Sequence, residues 1–189
     1  MLDFSVVIPT LHSPIIDQTL ASLRAQHYDS SRVEVIVVGQ DRHGLVQEGE
    51  LVHFDRSPMP LSPAAARNRG MEQSSGEVIA LLDADCLASP EWLDVLAEHY
   101  QDPGTHVVGG GVSFPPGNYW TVCDNVSWFH EVLARTPSGT RPYQPSLNLS
   151  LRREVYERVG GMDETFPRPA GEDTEWTCWI SLARYTYYL

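Results

Sequence analysis

The sequence predicts a single α/β domain with a mostly parallel central sheet and helices on both faces. Three apolar runs of strand length support this class, at residues 5–8, 33–38 and 78–82. Each run is nearly continuous in apolar residues, which is typical of strands that are covered on both faces. Segments with helical spacing separate the runs, and this alternation favours parallel pairing of neighbouring strands.

The first helix is predicted between the first two strands. Ile16, Leu20 and Leu23 recur there at helical spacing. Ser13 and Pro14 precede them, and we expect the serine to cap the helix and the proline to open its first turn.

The same Ser-Pro pair also stands before two later segments of helical character, at Ser62 and at Ser89. It predicts helices over roughly residues 64–73 and 91–99. A short strand is expected near residues 51–54, before the first of these helices.

Composition limits the classes of function. The 25 acidic and 13 basic residues give a net charge of -12, which repels phosphate backbones and argues against nucleic acid as a partner. All 13 basic residues are arginine. The absence of lysine excludes a P-loop and Schiff-base chemistry, because both need a lysine amine.

Cysteine usage and hydropathy favour a cytoplasmic protein. Cys86, Cys123 and Cys178 are odd in number and form no C-x-x-C pair, which is typical of reduced thiols. No stretch approaches the ~20 apolar residues of a membrane span, and the N-terminus does not have the pattern of a signal peptide. We expect a cytoplasmic location, with a peripheral position at the inner face of the membrane as an option.

Two carboxylates follow the third apolar run. Asp83 and Asp85 come directly after residues 78–82, at the edge of the sheet where α/β enzymes hold their ligands. Side chains at i and i+2 of a strand share a face, so the two carboxylates are expected to point together and Ala84 to point away. Aligned oxygen ligands suit Mg²⁺ or Mn²⁺, and such a cation suits a diphosphate. A solvated acidic loop is the alternative in so acidic a chain.

Six segments taken together resemble glycosyltransferase family 2, whose members have the GT-A (Rossmann-like) fold and use nucleotide-diphospho sugars. The segments are residues 6–10 (VVIPT), 20–26 (LASLRAQ), 66–70 (ARNRG), 81–85 (LLDAD), 148–163 (ending in VGGMD) and 171–173 (GED). They occur in the family's order and cover nearly the whole chain. The resemblance implies one GT-A domain over residues 1–189, with a nucleotide-binding half at 1–100 and an acceptor-side half at 101–189.

The resemblance also implies a nucleotide site that includes Thr10, Arg67 and Asp83. Thr10 lies at the end of the first strand, near the base and ribose in the family's pattern, and Arg67 is the arginine of the A-R-N-x-G segment. The family carries an acidic pair after its second strand, where this chain has Gln40 and Asp41. Either Asp41, with a shifted loop, or Gln40 is expected to contact the base.

The implied cofactor is Mn²⁺ or Mg²⁺. By resemblance, Asp83 touches the ribose or the metal, and Asp85 binds the metal that bridges the diphosphate. The ion would offset the charge that builds on the leaving nucleotide.

The acceptor side is implied by the last motif. Asp173 is the expected general base, because an inverting displacement needs a carboxylate that takes the proton of the acceptor hydroxyl. Glu172 is expected to contact the acceptor, and Trp176 and Trp179 are candidates to stack on an acceptor sugar. The alternatives are an acidic helix start that complements the helix dipole, and tryptophans that pack in the core.

The expected function is therefore inverting transfer of a sugar from a nucleotide-diphosphate donor, with a UDP-sugar favoured, to a saccharide or lipid-linked acceptor. The family continues beyond the E-D helix with a further strand and a tail, so the acceptor half is expected to be short. Residues 185–189 are apolar or aromatic apart from Thr186, and we expect them either to pair with a second copy of the chain or to leave the acceptor side loosely ordered. The alternative is a degenerate or partner-dependent module that binds nucleotide sugars without full activity.

Two other enzyme classes fit the acidic pair less well. A phosphatase of the haloacid dehalogenase type places its acidic pair on the first strand and needs a later lysine. A glycosidase with two carboxylates needs no metal and does not account for a carboxylate pair at a strand end.

Overall fold

The structure is a computed structural model that describes residues 1–141, 143–166 and 170–188. Its strands are β1 (Phe4–Leu11), β2 (Val33–Gln40), β3 (Val52–Arg56), β4 (Val78–Leu82), β5 (Val107–Gly109), β6 (Thr140–Arg141), β7 (Asn148–Arg152) and β8 (Tyr187–Tyr188). Its helices are α1 (Ile16–Arg24), α2 (Pro63–Gln73), α3 (Trp92–His99), α4 (Tyr119–Phe129), α5 (Arg153–Val159) and α6 (Glu172–Leu182).

The strands form one sheet. Over the described ranges it has eight strands in the order β3-β2-β1-β4-β7-β5-β8-β6. The four strands from the first half of the chain run parallel. β7 is inserted antiparallel between β4 and β5, β8 pairs parallel with β5, and β6 closes the far edge antiparallel to β8. The predicted α/β class, with a mostly parallel sheet, is confirmed.

The core lies on both faces of this sheet. Phe4, Val6 and Ile8 of β1 belong to a cluster that includes residues of α1 and α3. Val7 belongs to a second cluster, which includes residues of α2, α5 and α6. Successive residues of a strand point to opposite faces, so a strand buried on both faces reads as an unbroken apolar run. The helices lie on both faces, as predicted.

One of the predicted helix starts is correct and two differ. The backbone N–H of Ala65 donates to Ser62 Oγ at 3.1 Å, so Ser62 caps α2 as expected. Helix α1 instead begins at Ile16 without a side-chain cap, because Ser13 Oγ donates to the carbonyl of Ala84 at 2.7 Å. Helix α3 likewise begins at Trp92, without a side-chain cap.

The second half of the chain contains features that the hydropathy pattern did not predict. Helix α4 packs none of its residues into the core, and Trp120 and Trp128 are 78% and 74% exposed. The backbone of β8 is part of the sheet. Leu189, the last residue of the expected pairing segment, lies outside the described residues. In the part of the chain that the structure describes, no helix is long and apolar enough to cross a membrane.

Candidate functional site

A cavity of about 570 Å³ opens at the carboxyl ends of β1 and β4. Its lining comes from four parts of the chain: the end of β1 with the loop to α1, the start of α2 with Leu61 before it, the loop after β4, and Phe166. Ligands of open α/β sheets bind at this edge, and the volume is that of a small-molecule site. Of the predicted site residues, Thr10, Arg67, Asp83 and Asp85 line the cavity.

Asp83 and Asp85 both line the cavity, but they do so from a turn and not from one face of a strand. β4 ends at Leu82, and the backbone N–H of Cys86 closes the turn by donating to the carbonyl of Asp83 at 3.1 Å. The expectation that a continued strand aligns the two side chains is therefore wrong. The hydroxyl of Thr19, like that of Ser13, donates to the carbonyl of Ala84, at 3.1 Å, and these two bonds hold the turn against α1.

The environment of the turn penalises uncompensated negative charge. Burial, and after it the charge of Asp83, raise the pKa of Asp85 above its usual value, although the side chain keeps access to solvent. Burial and the same two carboxylates raise the pKa of the Cys86 thiol to about 12, so this thiol stays protonated near neutral pH. A cation bound at Asp83 and Asp85 would reduce the repulsion between their two negative charges.

Arg67 lies between two carboxylates from distant parts of the chain. Its Nη2 donates to Asp83 Oδ1 at 2.7 Å, and its Nη1 donates to Glu172 Oε1 at 3.3 Å. Arg67 is 6% exposed and Glu172 is 5% exposed. A buried charge is costly unless an opposite charge pairs with it. The guanidinium therefore joins the loop after β4 to the first residue of α6.

The residues that accompany Arg67 in its motif have structural roles. Asn68 Oδ1 accepts a hydrogen bond from the backbone N–H of Met162 at 2.7 Å, and Asn68 Nδ2 donates to the carbonyl of Met162 at 2.8 Å. Gly70 lies against β1, where an added Cβ would come within 2.3 Å of Val7 Cγ1. Gly161 is similarly confined, because its Cβ would meet Asn68 Oδ1 at 2.5 Å. The ARNRG and VGGMD segments are thus two sides of one contact.

Thr10 lines the cavity from the end of β1. It is 6% exposed, and its Oγ1 has no hydrogen-bond partner among the described residues. A buried hydroxyl without a partner costs free energy, so a hydrogen bond from a ligand at this position would be favourable. A nucleotide contact at Thr10 stays a prediction.

Asp41 and Gln40 are both engaged away from the cavity. Asp41 accepts hydrogen bonds from the backbone N–H groups of His43 (3.0 Å) and Val46 (2.8 Å). Partial burial alone would raise the pKa of Asp41, but these donors outweigh it and lower this pKa. Gln40 Nε2 donates to the carbonyl of Ser57 at 3.2 Å. Neither side chain lines the cavity as described, and a contact of either with the base stays a prediction.

Asp173 lies in the first turn of α6, outside the lining of the cavity. Its Oδ2 accepts two hydrogen bonds from Ser146, one from the backbone N–H at 3.1 Å and one from the hydroxyl at 3.2 Å. Its Oδ1 accepts one from the backbone N–H of Thr174 at 2.8 Å. These bonds fix the orientation of the carboxylate. Ser146 is 1% exposed, and its role had no counterpart in the sequence pattern.

The two acceptor contacts predicted beside Asp173 are wrong. Trp176 is 1% exposed and packs in the core, and its Nε1 donates to the carbonyl of Gly160 at 2.8 Å. A tryptophan enclosed in this way cannot present its ring to a sugar. Glu172 is buried against Arg67 rather than facing an acceptor. Trp179, the other candidate, is 54% exposed.

The donor set at the cavity fits a magnesium-like cation. The described residues contain no group of three or more His, Cys, Asp or Glu side chains that could hold a metal ion by themselves. Mg²⁺, however, usually binds one or two carboxylates and completes its shell with water and substrate phosphates. Asp85 has no cationic partner among the described ion pairs, whereas Asp83 shares one oxygen with Arg67. Two carboxylates beside a ligand-sized cavity are sufficient for this type of site.

Comparison with known proteins places these features in a family. The family model described as glycosyl transferase family 2 matches residues 5–160. Glycosyltransferase AglE of Haloferax volcanii is 30% identical over 184 residues, which cover 92% of this chain and 59% of the relative. The pre-mycofactocin glycosyltransferase of Mycobacterium tuberculosis is 28% identical over 190 residues, which cover 94% of this chain and 38% of the relative. The chain thus spans roughly half the length of these curated relatives.

Solved structures agree on the fold. The mannosyltransferase PcManGT of Pyrobaculum calidifontis superposes with a TM-score of 0.75 at 21% identity, over 98% of this chain and 54% of that one. Residues 1–349 of S. aureus TarS superpose with a TM-score of 0.74 at 19% identity, over 98% of this chain and 57% of that one. The family model covers most of the chain, and its fold is the one observed. The chain belongs to glycosyl transferase family 2.

Proposed function

We propose that the protein transfers a sugar, with inversion, from a nucleoside diphosphate sugar to a hydroxyl group of an acceptor. The observation that carries this proposal is the cavity at the carboxyl edge of the sheet, lined together by Thr10, Arg67, Asp83 and Asp85. A UDP-sugar is the favoured donor. Both uridine and guanosine donors occur among the structural neighbours, because TarS was solved with UDP-GlcNAc and PcManGT with GDP-Man.

Asp83 and Asp85 would hold a divalent cation, Mn²⁺ or Mg²⁺. The cavity contains two carboxylates and one arginine, and the donor's diphosphate is also negative, so direct contact between donor and turn would be repulsive. The PcManGT complex contains Mn²⁺ together with its donor. When bound, such an ion supplies positive charge that stabilises the departing nucleoside diphosphate.

Asp173 would act as the general base. Inversion requires attack on the anomeric carbon from the side opposite the leaving group, with a carboxylate near the attacking hydroxyl. Asp173 lies outside the lining of the donor cavity, and Ser146 holds its carboxylate in one orientation. The ordered carboxylate would accept the proton of the acceptor hydroxyl as the new glycosidic bond forms.

The acceptor would be a saccharide or a lipid-linked saccharide. One relative of 29% identity is named a glucosyl-dolichyl phosphate glucuronosyltransferase, and a lipid-linked acceptor is part of that name. A cytoplasmic location with a peripheral position at the membrane, and a homodimer through residues 185–189, remain predictions. Sedimentation with and without that segment tests the dimer.

Calorimetric titration of UDP and of GDP, with and without Mn²⁺, tests the proposed function. We expect one of the two nucleotides to bind more tightly with Mn²⁺, and Asp85→Asn to abolish the metal-dependent gain. Asp124→Asn, an equal change of charge on the exposed helix α4, is the matched control and should bind as the parent does. Equal affinity with and without metal, or in Asp85→Asn and the parent, would contradict the assignment of Asp85.

The same protein then separates a transferase from a binding module. If the chain is a transferase, a nucleotide sugar incubated with Mn²⁺ and a candidate acceptor should be consumed, with the sugar transferred to the acceptor hydroxyl and the nucleoside diphosphate released. Tight, metal-dependent binding without turnover in the presence of candidate acceptors would favour the degenerate or partner-dependent module.

A further inference from the structure

One buried side chain connects the donor cavity to the helix that carries Asp173. Arg67 lines the cavity and contacts Asp83, whose side chain is 33% exposed and also lines it. The other end of the same guanidinium contacts Glu172, whose side chain is 6% exposed. Glu172 is the first residue of α6, and Asp173 follows it directly. Three side chains thus span the distance from the donor-facing turn to the expected base.

The two halves of this bridge are unequal. The contact of Arg67 with Asp83 measures 2.7 Å, whereas the contact with Glu172 measures 3.3 Å. Glu172 Oε2 and Arg67 Nε have no hydrogen-bond partner among the described residues. The Glu172 side of the bridge is therefore incompletely paired, and a shorter or second hydrogen bond to Arg67 would stabilise it.

The start of α6 depends on such contacts because its own capping is minimal. Gly171 precedes the helix with φ +95, in the left-handed region, and provides no side-chain cap. The first two side chains of the helix are held by residues from elsewhere in the chain, Glu172 by Arg67 and Asp173 by Ser146. Arg67 is thus one of the contacts that hold the start of the helix.

We infer that Arg67 is a positioning residue that couples occupation of the donor site to the placement of Asp173. A donor and its cation at Asp83 compete with Arg67 for the carboxylate oxygens of Asp83. The Arg67 guanidinium then pairs more strongly with Glu172, and this stronger ion pair holds the first turn of α6 more tightly. The inference rests on the proposed function, because it takes the cavity to be the donor site.

Hydrogen exchange tests this coupling without an acceptor or a measurement of activity. Amide exchange in α6 is followed by mass spectrometry in the parent protein, alone and saturated with Mn²⁺ and whichever of UDP or GDP binds more tightly. Coupling between two sites typically changes an equilibrium 5- to 150-fold, so we expect exchange in the first turns of α6 to slow about 5-fold or more on binding.

Two variants of the same helix provide the contrast. Glu172→Gln keeps the size of the side chain but removes the charge that Arg67 attracts, so at saturating nucleotide and Mn²⁺ it should lose the slowing of exchange. Glu175→Gln is the matched control. It lies in the same first turn and contacts Trp179 rather than Arg67, so it should keep the slowing.

The outcomes separate this inference from the proposed function. If nucleotide and Mn²⁺ bind but exchange in α6 stays the same or speeds up, the coupling is wrong and the donor site stands. If Glu172→Gln keeps the slowing, Glu172 is not the connection and the inference is wrong. If neither nucleotide binds the parent protein, the inference falls together with the proposed function.

Discussion

Asn68 and Met162 lie 94 positions apart, and the Asn68 side-chain amide forms two hydrogen bonds with the backbone of Met162, at 2.7 and 2.8 Å. The side-chain amide of Asn68 bonds to both the N–H and the C=O group of Met162, as the backbone of a neighbouring strand would. Both residues are buried. The contact fixes the segment that follows α5 against α2, next to the residue that binds Glu172.

Replacing Asn68 by alanine is expected to destabilise the fold. The substitution leaves the N–H and C=O groups of Met162 buried without partners, and each such group costs about 1–3 kcal/mol. The free energy of unfolding, measured by urea denaturation, should fall by roughly 2–4 kcal/mol. Glu72→Ala, at an exposed position of the same helix, is the control and should change stability little. An equal effect of both substitutions would contradict a clamp at Asn68.

Replacing Ser146 by alanine should slow transfer and leave nucleotide binding unchanged. It removes one hydrogen bond to the carboxylate of Asp173, and such bonds contribute about 1.5 kcal/mol or more. That corresponds to about a tenfold fall in kcat if the whole contribution is made in the transition state. Ser146→Thr retains the hydroxyl and should recover most of the rate. Ser150→Ala removes a buried hydroxyl of β7 that contacts Tyr100, and it serves as the control.

Asp173→Asn should leave the affinity for the nucleotide intact and reduce transfer. The amide keeps the size of the side chain but cannot accept the proton of the acceptor hydroxyl. Loss of a general base typically lowers the rate by about 10²- to 10⁴-fold. The measurement is kcat in parallel with calorimetric binding of the nucleoside diphosphate. Transfer at the parental rate would exclude Asp173 as the base.

The stability of the metal-free protein should depend on pH through Asp85. Burial and then the charge of Asp83 raise the pKa of Asp85 in the folded state. Its contribution to stability is therefore complete below the unfolded pKa of about 3.9 and is lost as pH rises through the raised folded pKa. Asp85→Asn cannot ionise, so the parent should lose stability relative to this variant across that window.

Urea denaturation in EDTA at a series of pH values measures the difference between parent and variant. Two curves that stay parallel across the acidic range would contradict a raised pKa at Asp85. In a parallel series without EDTA, addition of Mn²⁺ at neutral pH should stabilise the parent protein and not Asp85→Asn, because a bound ion stabilises only the folded state that holds it.

The nucleotide-binding half of the fold follows from the sequence for a physical reason. β1, β2 and β4 are buried on both faces, so their apolar runs are nearly continuous, and Asp83 and Thr10 are expected near one edge because both lie at the ends of such runs. The second half of the fold is harder to predict from the sequence. β7 carries Ser150, whose buried hydroxyl is satisfied by Val108, and a polar residue interrupts the apolar pattern by which a strand is recognised.

The assignment of Trp176 to the acceptor was wrong because a distant carbonyl satisfies its indole. Gly160 lies 16 positions upstream of Trp176, and the pattern of one helix does not reveal this contact. The signal that would have placed it correctly is its spacing from Ile180. Two apolar residues four positions apart on a helix mark the face that packs in the core, and both are buried.

Anomalous diffraction from Mn²⁺, in crystals grown with UDP or GDP, tests the assigned donor site most directly. We predict a manganese peak within coordination distance of the Asp85 carboxylate, with the diphosphate in the cavity beside Arg67 and the nucleoside near Thr10. A manganese ion bound elsewhere, or a nucleotide that occupies another part of the molecule, would contradict the assignment of the donor site.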